Sequence, residues 1–297
     1  MKSSFITPLL ALGLGLAATA HAQVLMLDFG PNTTAAATNS PYHAVNTSFT
    51  DTTWNVVNSS AVASGGLTYS NGSTATGVSL NLGTATGTTN TVPATTLTIP
   101  SSSLTFSGLG TAVNTTTGIY ANNSVATDGV FSGGAAGTFA SVGFQIGGLA
   151  AGTYDIYITS RNTNSSAAYR ENVYAGTSSS SGNFTYSLGS TGTNGSAVGS
   201  AASGYGLATV GYNGTNSTTS WVQATSGNLL GNYTKLSVTL SSGDFLNLAV
   251  TGQFNELRGI LNSVEIVNTT AIPEPSTYAL LGGAAALVFV AVRRRRA

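Results

Sequence analysis

The sequence predicts an all-β fold, an antiparallel β-sandwich of jelly-roll type, with an N-terminal signal peptide and one C-terminal transmembrane helix. Three observations predict it. Apolar and polar residues alternate in short runs through the middle of the chain, and no stretch repeats with the 3.6-residue period of an amphipathic helix. Clusters of Gly, Ser, Thr and Asn separate those runs, as turns and loops do. Each end carries an apolar stretch flanked by processing-type residues. About twelve strands are expected, a number that two packed sheets accommodate without one long exposed edge.

The chain opens with Lys2, an apolar stretch over residues 5–18 and then Ala20-His21-Ala22. A positive start, a short apolar run and a small-x-small site are the parts of a secretory signal peptide. Residues 1–22 are therefore expected to be removed by signal peptidase, whose pocket admits small side chains such as Ala20 and Ala22. Pro8 and the shortness of the run argue against a first transmembrane helix.

Residues 23–270 are expected to form the β domain. Residues 24–29 read as its first strand. Val78, Leu80 and Leu82 then alternate with Ser79 and Asn81, and the pairs Leu97/Ile99 and Leu104/Phe106 follow. Phe139, Val142, Phe144 and Ile146 alternate with a break in phase. Residues 154–159 give the clearest strand, with Tyr154, Ile156 and Ile158 inward and Asp155, Tyr157 and Thr159 outward. Leu236, Val238 and Leu240 precede Ser241-Ser242-Gly243, and Leu246, Leu248 and Val250 follow it, which predicts a hairpin. Ile260, Val264 and Ile266 close the domain in one strand. The Gly/Ser/Thr-rich residues 84–91 and 177–204 read as long surface loops.

Composition narrows the function. Of 297 residues, 41% are hydrophobic, enough for a core, but only 6% are charged. Ordinary soluble domains carry roughly 25%, so the polar surface here must be Ser, Thr, Asn and Gly, as in secreted β proteins and matrix proteins. The chain has no cysteine, which excludes disulfides, thiol nucleophiles and cysteine metal sites. Residues 23–272 hold four basic and eight acidic side chains, a net charge of −4. A mildly acidic body without a basic patch is a poor partner for nucleic acid.

Candidate chemistry in the body is sparse. His43 is its single histidine, and no Gly-x-Ser-x-Gly elbow accompanies it. Glu171, Glu256 and Glu265 are the carboxylates that glycoside hydrolysis would need. The plainer reading is solvated groups, with Glu171 beside Arg170 and Glu256 near Arg258. Asp28 lacks the partners of a calcium loop. No cofactor and no metal is expected, nor enzymatic activity. Trp54 and Trp221 are the candidate sugar-stacking residues, because an apolar ring flanked by amides suits a carbohydrate face.

After residue 270 the sequence changes character. Pro273-Glu274-Pro275 precedes an uncharged apolar stretch, then Arg293, Arg294, Arg295 and Arg296. Residues 276–292 reach the lower length limit of a membrane-spanning helix, and the arginines supply a stop-transfer signal on the cytoplasmic side. Two prolines hold Glu274 in extended backbone, the form a processing cleft accepts. These three parts in this order resemble the PEP-CTERM sorting signal, here residues 271–297. The resemblance implies an exported protein recognised and cut by an exosortase. The chain would be held at the inner membrane by its C-terminal helix, then passed to the cell surface or extracellular matrix.

A second resemblance concerns the body. Asp28-Phe29-Gly30, the Gly-Thr-Tyr-Asp-Ile-Tyr-Ile run from Gly152 and the closing Leu-Asn-Ser-Val-Glu-Ile from Leu261 are similar to malectin-like or galactose-binding-like sandwiches. It implies a jelly roll with carbohydrate bound at loop tips. The expected function is a structural or adhesive component of the cell surface or polymer matrix. The alternative is a carbohydrate-binding module that recognises extracellular polysaccharide.

Overall fold

The computed structural model describes residues 23–31, 40–87, 95–108, 119, 125–133, 139–160, 168–186, 206–210, 220–224, 231–253, 258–270 and 282–283. In chain order the elements are β1 (Val24–Phe29), α1 (Pro41–Val45), β2 (Asn55–Val57), β3 (Ala61–Val62), β4 (Ser79–Gly87), β5 (Thr95–Leu97), β6 (Thr105–Gly108), β7 (Asp128–Ser132) and β8 (Phe139–Gly147). They continue with β9 (Gly152–Thr159), β10 (Ala168–Ser178), β11 (Phe184–Tyr186), β12 (Gly206–Val210), β13 (Thr234–Leu240), β14 (Phe245–Gln253), β15 (Gly259–Leu261) and β16 (Ser263–Asn268). Strands take up 54% of the structure, with almost no helix. All sixteen lie in one compact unit, Gln23–Asn268.

Two large sheets organise that unit. One has the order β13-β9-β16-β1-β2, and the other β12-β10-β14-β8-β4-β3. Pairing is antiparallel except between β1 and β2, which run parallel. Alternation explains how they meet. Leu25, Leu27, Phe29, Ile156, Ile158, Val264 and Ile266 leave the first sheet on one face. Leu80, Leu82, Phe144, Ile146, Val173, Leu248 and Val250 leave the second, and both sets join a single buried cluster. With a side-chain period of two, each strand gives its other face to something else.

Both outer faces are covered. On the six-stranded sheet, Tyr174 and Ala249 pack under Leu97, Ile99, Phe184 and Tyr186, which belong to the β5–β11 ribbon and its flank. On the five-stranded sheet, Val24, Met26, Tyr157 and Val267 pack under Phe49, Tyr42, Trp54, Trp221 and Tyr233. A second small sheet, β15-β7-β6, completes the unit.

Several strand assignments need correction. The predicted hairpin does not form, because β13 pairs with β9 in one sheet while β14 pairs with β8 and β10 in the other. The turn at Ser241–Asp244 carries the chain across the core. Two runs alternating in one phase bury their apolar faces toward a common core, and that holds equally for strands side by side and strands facing one another. The closing strand is split at Asn262 into β15 and β16, which lie in different sheets. Residues 84–87 belong to β4, residues 177–178 to β10 and residues 184–186 to β11, where loops were expected. The break in phase in β8 resolves into one buried row of Ala140, Val142, Phe144 and Ile146.

Candidate functional site

Strand register builds a row across the outer face of the five-stranded sheet. Lys235 on β13 pairs with Tyr157 on β9, Tyr157 pairs with Glu265 on β16, and Glu265 pairs with Met26 on β1. Helix α1 is laid over this row. Ser40 caps it by accepting the His43 backbone N–H, and Pro41 occupies its first turn, where no backbone donor is needed. The Tyr42 backbone N–H has no intrahelical acceptor at that position and donates to Glu265 Oε2 at 2.8 Å.

Rings close the cover. Tyr42 lies 4.8 Å from Phe49 and 5.4 Å from Tyr157 by ring centroids. Tyr157 lies 6.1 Å from Tyr233, and Trp221 meets Tyr233 edge-on at 6.4 Å. His43 Nδ1 sits 2.6 Å from the Phe49 carbonyl, which pins the loop after α1. Glu265 beneath them is 1% exposed. Burial pushes its carboxyl from an ordinary 4.5 up to about 7, opposed by hydrogen bonds from the Tyr42 N–H and the Ser40 side chain. Burial also raises the Tyr157 and Tyr233 hydroxyls, which therefore stay neutral beside it. Lys235 does not serve Glu265 as a counter-ion; its Nζ bonds Asp155 at 2.8 Å.

The structure brings Trp54 and Trp221 into this one cluster, both half-buried, with Trp221 also touching Ile119 and Ala126. Their Nε1 atoms and Glu265 Oε1 are buried without a hydrogen-bond partner. The two tryptophans thus spend much of their surface on packing. Glu265 acquires significance that the sequence hid, because its position in the alternation predicted only an outward, wet side chain.

Glu171 departs from the solvated reading too. It is fully buried, and its Oε2 accepts the Ser160 hydroxyl at 2.7 Å and the Ile260 N–H at 3.0 Å, which fastens β15 to β10. Asp28 and Asp128 are buried as well. Among the described residues no three His, Cys, Asp or Glu side chains gather as a metal site would require. Glu256 lies outside the described residues. So do Ala20, Ala22, Pro273, Glu274, Pro275, Arg293, Arg294, Arg295 and Arg296, together with residues 276–292 except 282–283. No helix among the described residues is long and apolar enough to cross a membrane.

A second feature was not anticipated. A groove of about 700 Å³ opens beside β4 and β5, and eight of the ten residues lining it carry hydroxyls. Thr86, Thr96, Thr98, Ser102 and Ser103 are exposed, with Thr96 Oγ1 bonded to Thr185 Oγ1 at 2.9 Å, while Thr84 Oγ1 and Ser101 Oγ bond each other at 2.6 Å at its base. Among the described residues no charged or aromatic side chain enters the lining. The Ser101-Ser102-Ser103 run and the Thr96/Thr98 alternation were its only trace in the sequence.

Comparison with known proteins adds one match. Residues 271–296 match the PEP-CTERM protein-sorting motif. That motif implies an exported protein, recognised by an exosortase and processed at its C-terminus. No curated protein and no solved structure matches the chain, so the malectin-like or galactose-binding-like likeness of the body gains no support.

Proposed function

We propose that the protein is a structural or adhesive component of the cell surface or extracellular polymer matrix, delivered by a removable C-terminal tag and without catalytic activity of its own. The match of residues 271–296 to the sorting motif carries this reading. In it, signal peptidase removes residues 1–22 and the helix at residues 276–292 holds the chain in the inner membrane. The four arginines keep the tail cytoplasmic. Exosortase then cuts near Pro273, Glu274 and Pro275, where the prolines keep the backbone extended. The body suits such a setting: few of its residues are charged, and its outer polar groups are largely hydroxyls and amides. Fractionation of hosts with and without the exosortase tests the reading. Shorter surface or released protein is expected only in the first host, and identical full-length membrane protein in both would reject it.

The groove favours a second reading, a module that binds extracellular polysaccharide. Uncharged hydroxyls that both donate and accept match a neutral polyhydroxylated chain. The groove supports this reading better than Trp54 and Trp221, whose rings are committed to packing. A glycan array probed with wild type and the Thr96→Val/Thr98→Val variant tests it. Dose-dependent binding that the variant loses is expected; absence of wild-type binding would reject it.

A further inference from the structure

The contact between Glu265 and α1 joins a fully covered carboxyl to a segment lying over it. We propose that Glu265 is a pH-operated latch: protonated, it holds residues 40–49 down on the five-stranded sheet, and ionised, it releases them.

Among the described residues the geometry gives the carboxyl no cation. From α1 and its flank come Ser40, Tyr42 and His43, and the His43 ring faces the Phe49 carbonyl through Nδ1. From β9 come Tyr157 and, two residues away on the same face, Asp155. From β13 comes Lys235, which is bonded to Asp155 and otherwise lies 6.0 Å over the Tyr157 ring. Tyr233 precedes β13. Met26 and then Asp28 face it from β1, and Ser263 and Val267 flank it on β16. Every titratable neighbour among these described residues except His43 and Lys235 is an acid or a tyrosine.

Hydrogen bonds from the Tyr42 N–H to Oε2 and from the Ser40 side chain favour the ionised form and offset burial only in part, because buried Oε1 has no partner. A carboxylate has several lone-pair sites to satisfy, and a buried charge without partner or full hydrogen bonding is strongly disfavoured. A neutral carboxyl needs less, and it still accepts the Tyr42 N–H through one oxygen. The covered state therefore binds the proton more tightly than the open state, as the rise to about 7 indicates. A group whose pKa is raised by closure favours closure at low pH. That preference is lost as pH rises from the open-state value of 4.5 to about 7 and is gone above it. From well below pH 4.5 to well above pH 7 the open population should rise about 300-fold in all, by up to tenfold for each pH unit. The device lies outside the tag and the groove, and it holds whether or not either functional reading does.

Hydrogen exchange of the Tyr42 amide in the full-length protein tests it, with the intrinsic pH dependence of exchange divided out. Protection should fall about 80-fold between pH 4.5 and 7 and level off above about pH 8 at about 300-fold in all. In Glu265→Gln the amide oxygen still accepts the Tyr42 N–H, so protection should be flat across the range. Equal profiles in wild type and variant would overturn the proposal. Should the variant fail to fold, an NMR titration of the Glu265 carboxyl carbon in wild type decides instead. A midpoint near 7 upholds the latch, and one near 4.5 overturns it.

Discussion

Phe29 on β1 and Phe144 on β8 stack across the space between the two large sheets, with centroids 5.9 Å apart and planes 14° from parallel. Both rings are fully buried. Phe144→Ala removes one side of that stack from a core both sheets share. It should cost about 3–5 kcal/mol. A lower urea midpoint with an unchanged slope is expected, whereas an unchanged midpoint would mean that the sheets do not depend on a common core.

Asn55 ties β2 to the segment beyond β3. Its Nδ2 donates to the Met26 carbonyl at 2.9 Å and the Thr68 carbonyl at 2.8 Å, and its Oδ1 accepts the Thr68 N–H at 2.8 Å. Asn55→Ala strands those buried groups and should destabilise by about 2–3 kcal/mol. Asn55→Asp keeps the acceptor but loses both donated bonds, so at neutral pH it should not restore stability. Thermal unfolding of the two variants checks this, and a wild-type Tm for Asp would refute the bonding described.

Glu265 should also mark the stability curve of the whole body. Its pKa is raised on folding, so its contribution is greatest below pH 4.5 and declines as pH rises to about 7. The decline amounts to about 3 kcal/mol. The comparison that isolates it is the difference in unfolding free energy between wild type and Glu265→Gln at pH 4.5 and at pH 7.5. A difference that does not change with pH would contradict the burial of an uncompensated carboxyl.

What could be read from the sequence follows from how far each signal reaches. Leu25, Leu27 and Phe29, or Tyr154, Ile156 and Ile158, state their buried face through a period of two, and the structure places them in the core as expected. Strand β10 escaped notice because it is buried on both faces and carries Arg170 and Glu171, so it shows no alternation. The hairpin error at residues 241–244 came from the same source: alternation fixes a face but not a partner. The covered site was beyond reach for a related reason. Tyr42 and Glu265 are separated by 223 positions, and nothing local to either announces the other. Trp54 and Trp221 were visible as residue types, but their meeting in one cluster is a tertiary fact. The hydroxyl groove looks, letter by letter, like any Ser/Thr-rich loop.

The four arginines and the Pro-Glu-Pro segment should fail in different ways. Arg293, Arg294, Arg295 and Arg296 replaced by Ser should weaken the stop-transfer signal, because the positive-inside bias is lost. Protease protection in spheroplasts should then show the C-terminus no longer held on the cytoplasmic side. A C-terminus still protected there would show that the arginines do not set its side.

The exported, exosortase-processed identity of the chain rests on residues 271–296. Its most direct measurement is the C-terminal mass of wild type and of the Pro273→Ala/Glu274→Ala/Pro275→Ala variant, expressed in an exosortase-positive host. Alanine lets the extended segment continue as helix and closes it to a cleft that needs open backbone. Wild type should be recovered without its arginines, and the variant should remain in the membrane fraction with them. If both stay in the membrane with all four arginines attached, the segment is a plain anchor and the account is wrong.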